Sequence, residues 1–216
     1  MATTSTTICN LALAEVPHAP IQDIDEDSKA AAECRRVYRQ ALGELLEACR
    51  WTFATRRTAL AQASNSRPAG WAFAYARPAD VAVLHRLIPS QGAAGAGHAP
   101  IAGQRPAPPY AFASDFGERE PAWPYEVDEG RIYTDLEGAV AEYTRADPPE
   151  TAMTPLFVRA LALDLASRVA VPLTGDASRK PQLAALHEHV RARAMAADLN
   201  RQPRVLDPIP EALRVR

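Results

Sequence analysis

The sequence predicts an α+β fold, in which helices from the two ends of the chain form a bundle and the middle forms a small antiparallel β-sheet region with a long loop. Apolar residues recur at helical spacing over about the first 50 residues and again over about residues 154–197. Between these regions, short runs alternate apolar and polar residues, as is typical of strands with one buried face. A stretch rich in Gly, Ala and Pro, from about Ser90 to Pro124, interrupts the strand region.

The first two helices have recognisable starting residues. Thr4 or Ser5 is expected to cap a short first helix, which Pro17 ends. Ser28 is expected to cap a second helix that extends to about Arg50. The apolar stripe of the second helix has the spacing of a face packed on a core, and it comprises Ala31, Cys34, Tyr38, Ala41, Leu42, Leu45 and Cys49.

The middle of the chain carries the strand signals. Residues Tyr125–Thr134 predict a β-hairpin, because apolar residues alternate on both sides of a turn at Glu129-Gly130. Further strands are predicted around residues 71–75, 81–88 and 140–144. The loop of residues 90–124 is longer than most loops of compact domains, so we expect an extended surface segment.

The C-terminal part predicts two more helices and an arm. Thr154 followed by Pro155 indicates the start of a third helix, and Pro172 is expected to end it. A fourth helix is predicted from Asp176 or Ser178 to about Asn200. The predicted domains are a helical body of residues 1–60 and 150–200, an inserted β region of residues 61–149 with the loop at 90–124, and an extended C-terminal arm of residues 201–216.

The C-terminal arm is the predicted partner interface. Its prolines forbid a continuous helix, so it is either a frayed terminus or a segment that packs on another subunit. The residues assigned to that interface are Arg204, Leu206, Ile209 and Leu213.

The composition is that of an ordinary folded protein. Of the 216 residues, 47% are hydrophobic and 23% are charged, and the net charge is −2. General nucleic-acid binders are usually clearly basic, so this charge argues against that class. Neither a signal peptide nor a membrane span is expected. The cysteine count and spacing indicate free thiols in a reducing cytoplasm and not a disulfide framework.

No motif predicts catalytic residues, a cofactor or a metal ion. Asp23, Asp25 and Asp27 resemble the start of a calcium-binding EF-hand loop, but Ser28 and Cys34 occupy the positions that need glycine and glutamate. A His-Glu-His run in the fourth helix places its two histidines on different faces, whereas a metal pair on a helix needs i, i+3 or i, i+4 spacing. We therefore expect a protein that is not an enzyme.

Several short motifs, taken together, resemble one family of phage proteins. They are Asn10-Leu11-Ala12, Val16-Pro17 with Pro20-Ile21, the acidic run Asp23 to Asp27, Arg50-Trp51-x-Phe53-Ala54, Leu60-Ala61 and Thr154-Pro155-Leu156-Phe157. The pattern resembles the tail tubular protein A family, the head–tail adaptors of short-tailed phages, over about residues 6–197. The Trp-x-Phe-Ala motif is its most specific point, whereas the loop of residues 90–124 and the segment after Asn200 depart from it.

The resemblance implies a structural protein of the phage neck. It implies a ring of identical subunits, usually twelve, that docks on the portal protein, continues the DNA channel and supports the tail nozzle protein and the tail fibres. A head-to-tail ring of this kind needs lateral surfaces more than a pocket. DNA would pass through the channel without sequence-specific binding, and no membrane would be involved. The expected location is the virion neck, after assembly in the host cytoplasm.

Three other functions stay open from the sequence. A connector or stopper protein of a long-tailed phage would share ring assembly but dock on other partners. A small cytosolic enzyme with an unrecognised site would show a pocket with convergent polar groups and perturbed pKa values. A helical binding module would work as a monomer or dimer, so its oligomeric state would distinguish it from the neck proteins.

Overall fold

The computed structural model describes residues 3–90 and 123–201, and it divides this part of the chain into two compact units. The first unit comprises residues 3–55 and 144–201, and the second comprises residues 56–90 and 123–143. The helices lie in the first unit and most strand residues in the second, so the chain is α+β, as the sequence predicts.

Four α-helices and one 3₁₀ turn are found among the described residues. They are α1 (Ser5–Glu15), α2 (Lys29–Glu47), the turn Glu150–Ala152, α3 (Pro155–Thr174) and α4 (Arg179–Leu199). The helix α3 is buried along most of its length, and α1, α2 and α4 each pack against it. All four helices contribute side chains to one apolar core, which places α3 at its centre.

Three of the helices start at the residues that the sequence indicates. The side chain of Thr4 accepts a hydrogen bond from the backbone N–H of Thr7 at 3.2 Å, and Ser28 caps α2 in the same way. Thr154 caps α3 by accepting from the N–H of Phe157 at 3.3 Å. Each cap binds one of the N–H groups that a helix start leaves without an intrahelical partner.

The prediction that Pro172 ends the third helix is wrong. The helix continues to Thr174, and Pro172 lies inside its last turn. A proline there removes only one backbone hydrogen bond. Three residues later, the N–H of Gly175 still donates to the carbonyl oxygen of Val171 at 2.9 Å. Gly175 has a φ of 71°, so the left-handed conformation that glycine favours ends the helix instead.

Two three-stranded antiparallel sheets are described in the β region. The strands are β1 (Thr55–Ala59), β2 (Phe73–Ala76), β3 (Val81–Pro89), β4 (Tyr125–Asp128), β5 (Arg131–Thr134) and β6 (Ala139–Arg145). One sheet has the order β1-β6-β3 and the other has the order β2-β5-β4. The second unit has its own apolar core, to which Tyr75, Val81, Leu87, Ile132 and Tyr143 belong.

The predicted hairpin is confirmed at residue level. The strands β4 and β5 pair from Tyr125 with Thr134 to Asp128 with Arg131. The two turn residues, Glu129 and Gly130, have φ values of 46° and 75°, as a two-residue turn between twisted strands requires.

The arginine-rich strand β1 was not predicted. It runs from Thr55 to Ala59, and neither Arg56 nor Arg57 is buried, so the strand lacks the alternation that signals one apolar face. Nearly all of the predicted loop of residues 90–124, and the predicted arm after Arg201, lie outside the described residues. No described helix has the length and apolar character that a membrane crossing requires.

Candidate functional site

Two of the motifs that carry the family resemblance meet in the core of the first unit. Trp51 is fully buried, and its ring lies 4.9 Å from that of Phe157 in an edge-on arrangement. The ring of Phe53 lies 4.8 Å from the same Phe157 ring. The indole N–H of Trp51 donates to the carbonyl oxygen of Leu45 at 2.8 Å, which satisfies its one polar group. The cluster therefore fixes the segment after α2 against the first turn of α3.

A buried carboxylate from α4 holds the same segment. Asp198 is 2% exposed, and its two oxygens accept from the backbone N–H and the hydroxyl of Thr52, each at 2.8 Å. Hydrogen bonds to an ionised acceptor are stronger than neutral ones. The end of α4 is thus bound to the Trp-x-Phe-Ala motif, a link that the sequence analysis missed.

The second unit contains a buried carboxylate between two arginines. Glu142 lies on β6, the middle strand of its sheet, and its side chain is 0% exposed. Arg57 of β1 donates to its Oε2 at 2.7 Å, and Arg86 of β3 donates to the same oxygen at 3.2 Å. The carboxylate therefore ties all three strands of the sheet together. Charged pairing compensates for the cost of burying it.

A surface cluster ties a loop to the hairpin of the second unit. Arg67 pairs with Glu126 and Asp128 of β4, and its guanidinium carbon lies 5.2 Å from the centre of the Tyr133 ring. The indole N–H of Trp71 donates to Glu126 Oε2 at 3.1 Å. These contacts hold the segment before β2 against β4 and β5.

The thiols of Cys9 and Cys34 are buried together between α1 and α2. Their mutual hydrogen bond, together with burial, raises the pKa of Cys9, and the same hydrogen bond lowers the pKa of Cys34. Burial also raises the pKa of Tyr38 on the next turn of α2. None of these groups lines either of the surface depressions of the first unit. The shifted pKa values therefore belong to core side chains.

The larger of these depressions, about 720 Å³, lies beside the N-terminal end of α1. Its lining comprises Thr4, Ser5, Thr6, Thr7, Asn10 and residues 20–25. Asn10 exchanges two hydrogen bonds with the backbone of Ile21, at 2.9 and 2.8 Å, and the Thr6 hydroxyl accepts from the N–H of Ile24 at 3.2 Å. The polar groups here thus bind the connector between α1 and α2.

The acidic run in that connector is organised by its own backbone. The carboxylate of Glu26 accepts from the N–H groups of Gln22 and Asp23 at 2.7 and 3.3 Å. A hydrogen bond with the Ser28 side chain and the one from Gln22 lower the pKa of Glu26. Within residues 3–90 and 123–201, no three His, Cys, Asp or Glu side chains are grouped as a metal site requires.

The predicted interface residues Arg204, Leu206, Ile209 and Leu213 lie outside the described residues, so their role stays a prediction. No protein-family model and no curated protein matches the chain.

Proposed function

We propose that this chain is a structural subunit of a phage neck, a head–tail adaptor. In this role it forms a closed ring of about twelve copies through head-to-tail interfaces. The ring docks on the portal protein, continues the DNA channel, and supports the tail nozzle protein and the tail fibres. The subunit has no catalytic task, requires no cofactor and belongs to the neck of the virion.

The observation that carries this proposal is the convergence of separate motifs. Trp51 and Phe53 belong to the most specific part of the resemblance, and Phe157 belongs to another part far along the chain. In the structure these side chains form one aromatic cluster with ring distances of 4.8 and 4.9 Å. Aromatic side chains pack together in many apolar cores, and a shared fold with the adaptor family requires that these particular motifs do so. The convergence favours a common architecture with the adaptor family.

The two units suit different tasks in such a ring. We propose that the four helices act as a bundle that forms the body of the ring, because α3 is surrounded by the other three and the core is continuous. The β unit has a separate core and reaches toward the tail in this proposal. DNA passes through without sequence-specific contacts, in keeping with a net charge of −2.

The test is the native mass of the purified chain, alone and with its portal protein. We expect a ring of about twelve subunits, either free or bound to the portal. A portal protein from an unrelated long-tailed phage serves as the control, since binding to it instead would favour the connector or stopper function. A chain that stays monomeric and ignores both portal proteins would contradict the proposal.

A further inference from the structure

One exposed flank of α4 carries basic side chains. Residues spaced alternately by three and four positions share one side of a helix. On this flank of α4 all such residues are exposed, and they are Arg179, Gln182, Leu186, His189, Arg193 and Ala196. Leu186, in the middle of the stripe, is 41% exposed. We call this set the α4 stripe.

The helix packs on α3 through a different set of side chains. Leu183, Val190, Ala194 and Asp198 are buried, and His187 between them lies 3.0 Å from the carbonyl oxygen of Ala160. The α4 stripe therefore lies on a flank that packing within the first unit leaves exposed. Arg193 makes no ion pair with any described residue, whereas Arg179 donates to the backbone oxygen of Glu15 at 3.5 Å and interacts with the carboxylate of Asp176.

Charges of the opposite sign are concentrated in the connector between α1 and α2. Asp23, Asp25, Glu26 and Asp27 lie there within five positions, and the three aspartates are exposed. Arg35 neutralises this segment only in part, because its guanidinium binds the carbonyl oxygens of residues 24 and 26 and lies 4.0 Å from Asp25. We call residues 23–27 the acidic connector.

The α4 stripe begins at the opposite end of α1 from the acidic connector. The acidic connector binds the N-terminal end, where Thr6 accepts from Ile24, whereas Glu15 at the C-terminal end lies beside Arg179. Eleven helical residues separate these ends by about 15 Å. At this distance exposed charges in one copy are largely screened from each other at physiological salt.

We propose that the α4 stripe of one copy receives the acidic connector of the next copy. The inference rests on the proposed ring and assigns its lateral interface. Because the two surfaces differ, the contact is heterologous, and repetition around an axis closes a ring without a two-fold partner. The exposed Leu186 supplies an apolar centre between the charges of Arg179 and Arg193, which suits a contact with a polar rim.

The experiment combines charge reversal with charge exchange in the full chain. Arg179→Glu with Arg193→Glu reverses the α4 stripe, and Asp25→Lys with Asp27→Lys reverses the acidic connector. The fourfold variant carries both changes. Assembly is followed by native mass across a range of protein concentrations, with portal protein if the wild-type chain requires it, and far-UV circular dichroism confirms folding.

Each twofold variant should need about tenfold more protein to assemble, because ion pairs are replaced by like charges at every interface. The fourfold variant should assemble near the wild-type concentration. Arg36→Glu with Arg39→Glu is the control, since it makes the same charge change at two exposed positions of α2 whose arginines already pair with Glu33 and Asp147 of the same chain, and it should leave assembly unchanged.

Assembly that is unaffected by reversing the α4 stripe would overturn this interface and leave the adaptor function intact. Loss of assembly that the fourfold variant does not restore would also overturn it, and would indicate that the stripe binds the portal protein or DNA. A wild-type chain that stays monomeric with and without portal protein would overturn both the interface and the proposed function.

Discussion

Single residues show how the first unit joins its distant segments. The carboxylate of Asp198 holds Thr52 across 146 positions of sequence, and the ring of Trp51 meets that of Phe157 in the core. Each such buried hydrogen bond affects the free energy of unfolding, because removing one partner leaves an unpaired group in the core, which costs about 1–3 kcal/mol. The resemblance motifs thus include side chains that pack and form hydrogen bonds in the core of the first unit.

The ion pair between Glu44 and Arg168 should make stability depend on pH. Arg168 of α3 binds Glu44 of α2, and this hydrogen bond, with one from Gln40, lowers the pKa of Glu44 below its ordinary value of 4.5. A carboxylate with a lowered pKa stabilises the folded state fully above its unfolded pKa, and this contribution is lost as pH falls through the folded pKa.

We therefore expect Glu44→Gln to have a lower melting temperature than the wild type at pH 7. On acidification below about pH 5, the melting temperature of the variant should fall less than that of the wild type. Thermal melts across this pH range provide the measurement. Glu47→Gln, at an exposed position of the same helix, is the control. Parallel pH profiles for wild type and Glu44→Gln would show that the pair contributes nothing.

The caps were predictable at this scale, whereas the buried charges were not. Thr4, Ser28 and Thr154 bind N–H groups three residues away, so their neighbours in sequence reveal them. Asp198 binds a group 146 positions away, and Glu142 binds one 85 positions away. Partners so distant in sequence cannot be identified from the neighbouring residues. The α4 stripe has no such local signal, because packing against distant segments decides which flank of a helix stays exposed.

At the scale of elements, local signals decided what the sequence predicted well. The hairpin of β4 and β5 follows from alternation and a Glu-Gly turn, which are properties of adjacent residues. The strand β1 has no such signal, because its place beside β6 depends on pairing across the sheet. The end of α3 was misplaced because Pro172 was weighed without the stronger stop at Gly175.

Two glycines of the helices should respond to alanine in opposite directions. A Cβ at Gly43 or at Gly175 would meet no atom within 4 Å, so crowding affects neither substitution. Gly43 lies inside α2, where alanine should stabilise by about 0.5–1 kcal/mol. Gly175 has a φ of 71°, where alanine should destabilise by about 1 kcal/mol.

Urea unfolding of the two variants measures both effects against one wild type. Since each position serves as the control for the other, the sign difference is the decisive result. If both variants were more stable than wild type, the assignment of Gly175 as the left-handed residue that ends α3 would be contradicted.

At the scale of the whole molecule, the described residues divide into two compact units. The chain leaves the first unit after residue 55 and returns to it at residue 144, so the β unit is an insertion with both ends anchored. The α+β class was predictable because helical and strand periodicities occupy separate stretches. The interface proposed for the α4 stripe was not predictable, since its charge complementarity with the acidic connector becomes visible only when the exposed flank of α4 is known.

The C-terminal arm should contribute to assembly and not to folding. Its prolines forbid a continuous helix, and we expect it to serve a partner and not the fold, so deletion of Pro203 to Arg216 should leave the melting temperature within about 2 °C of wild type. If Arg204, Leu206, Ile209 and Leu213 bind a partner, the deletion should reduce incorporation into particles.

Replacing the three apolar residues of the arm, Leu206, Ile209 and Leu213, by serine should reduce incorporation nearly as much as the deletion. Arg204→Ala alone should have little effect, because exposed ion pairs contribute weakly. Unchanged incorporation of the shortened chain would show that the arm is a frayed terminus, and the ring would then depend on surfaces such as the α4 stripe.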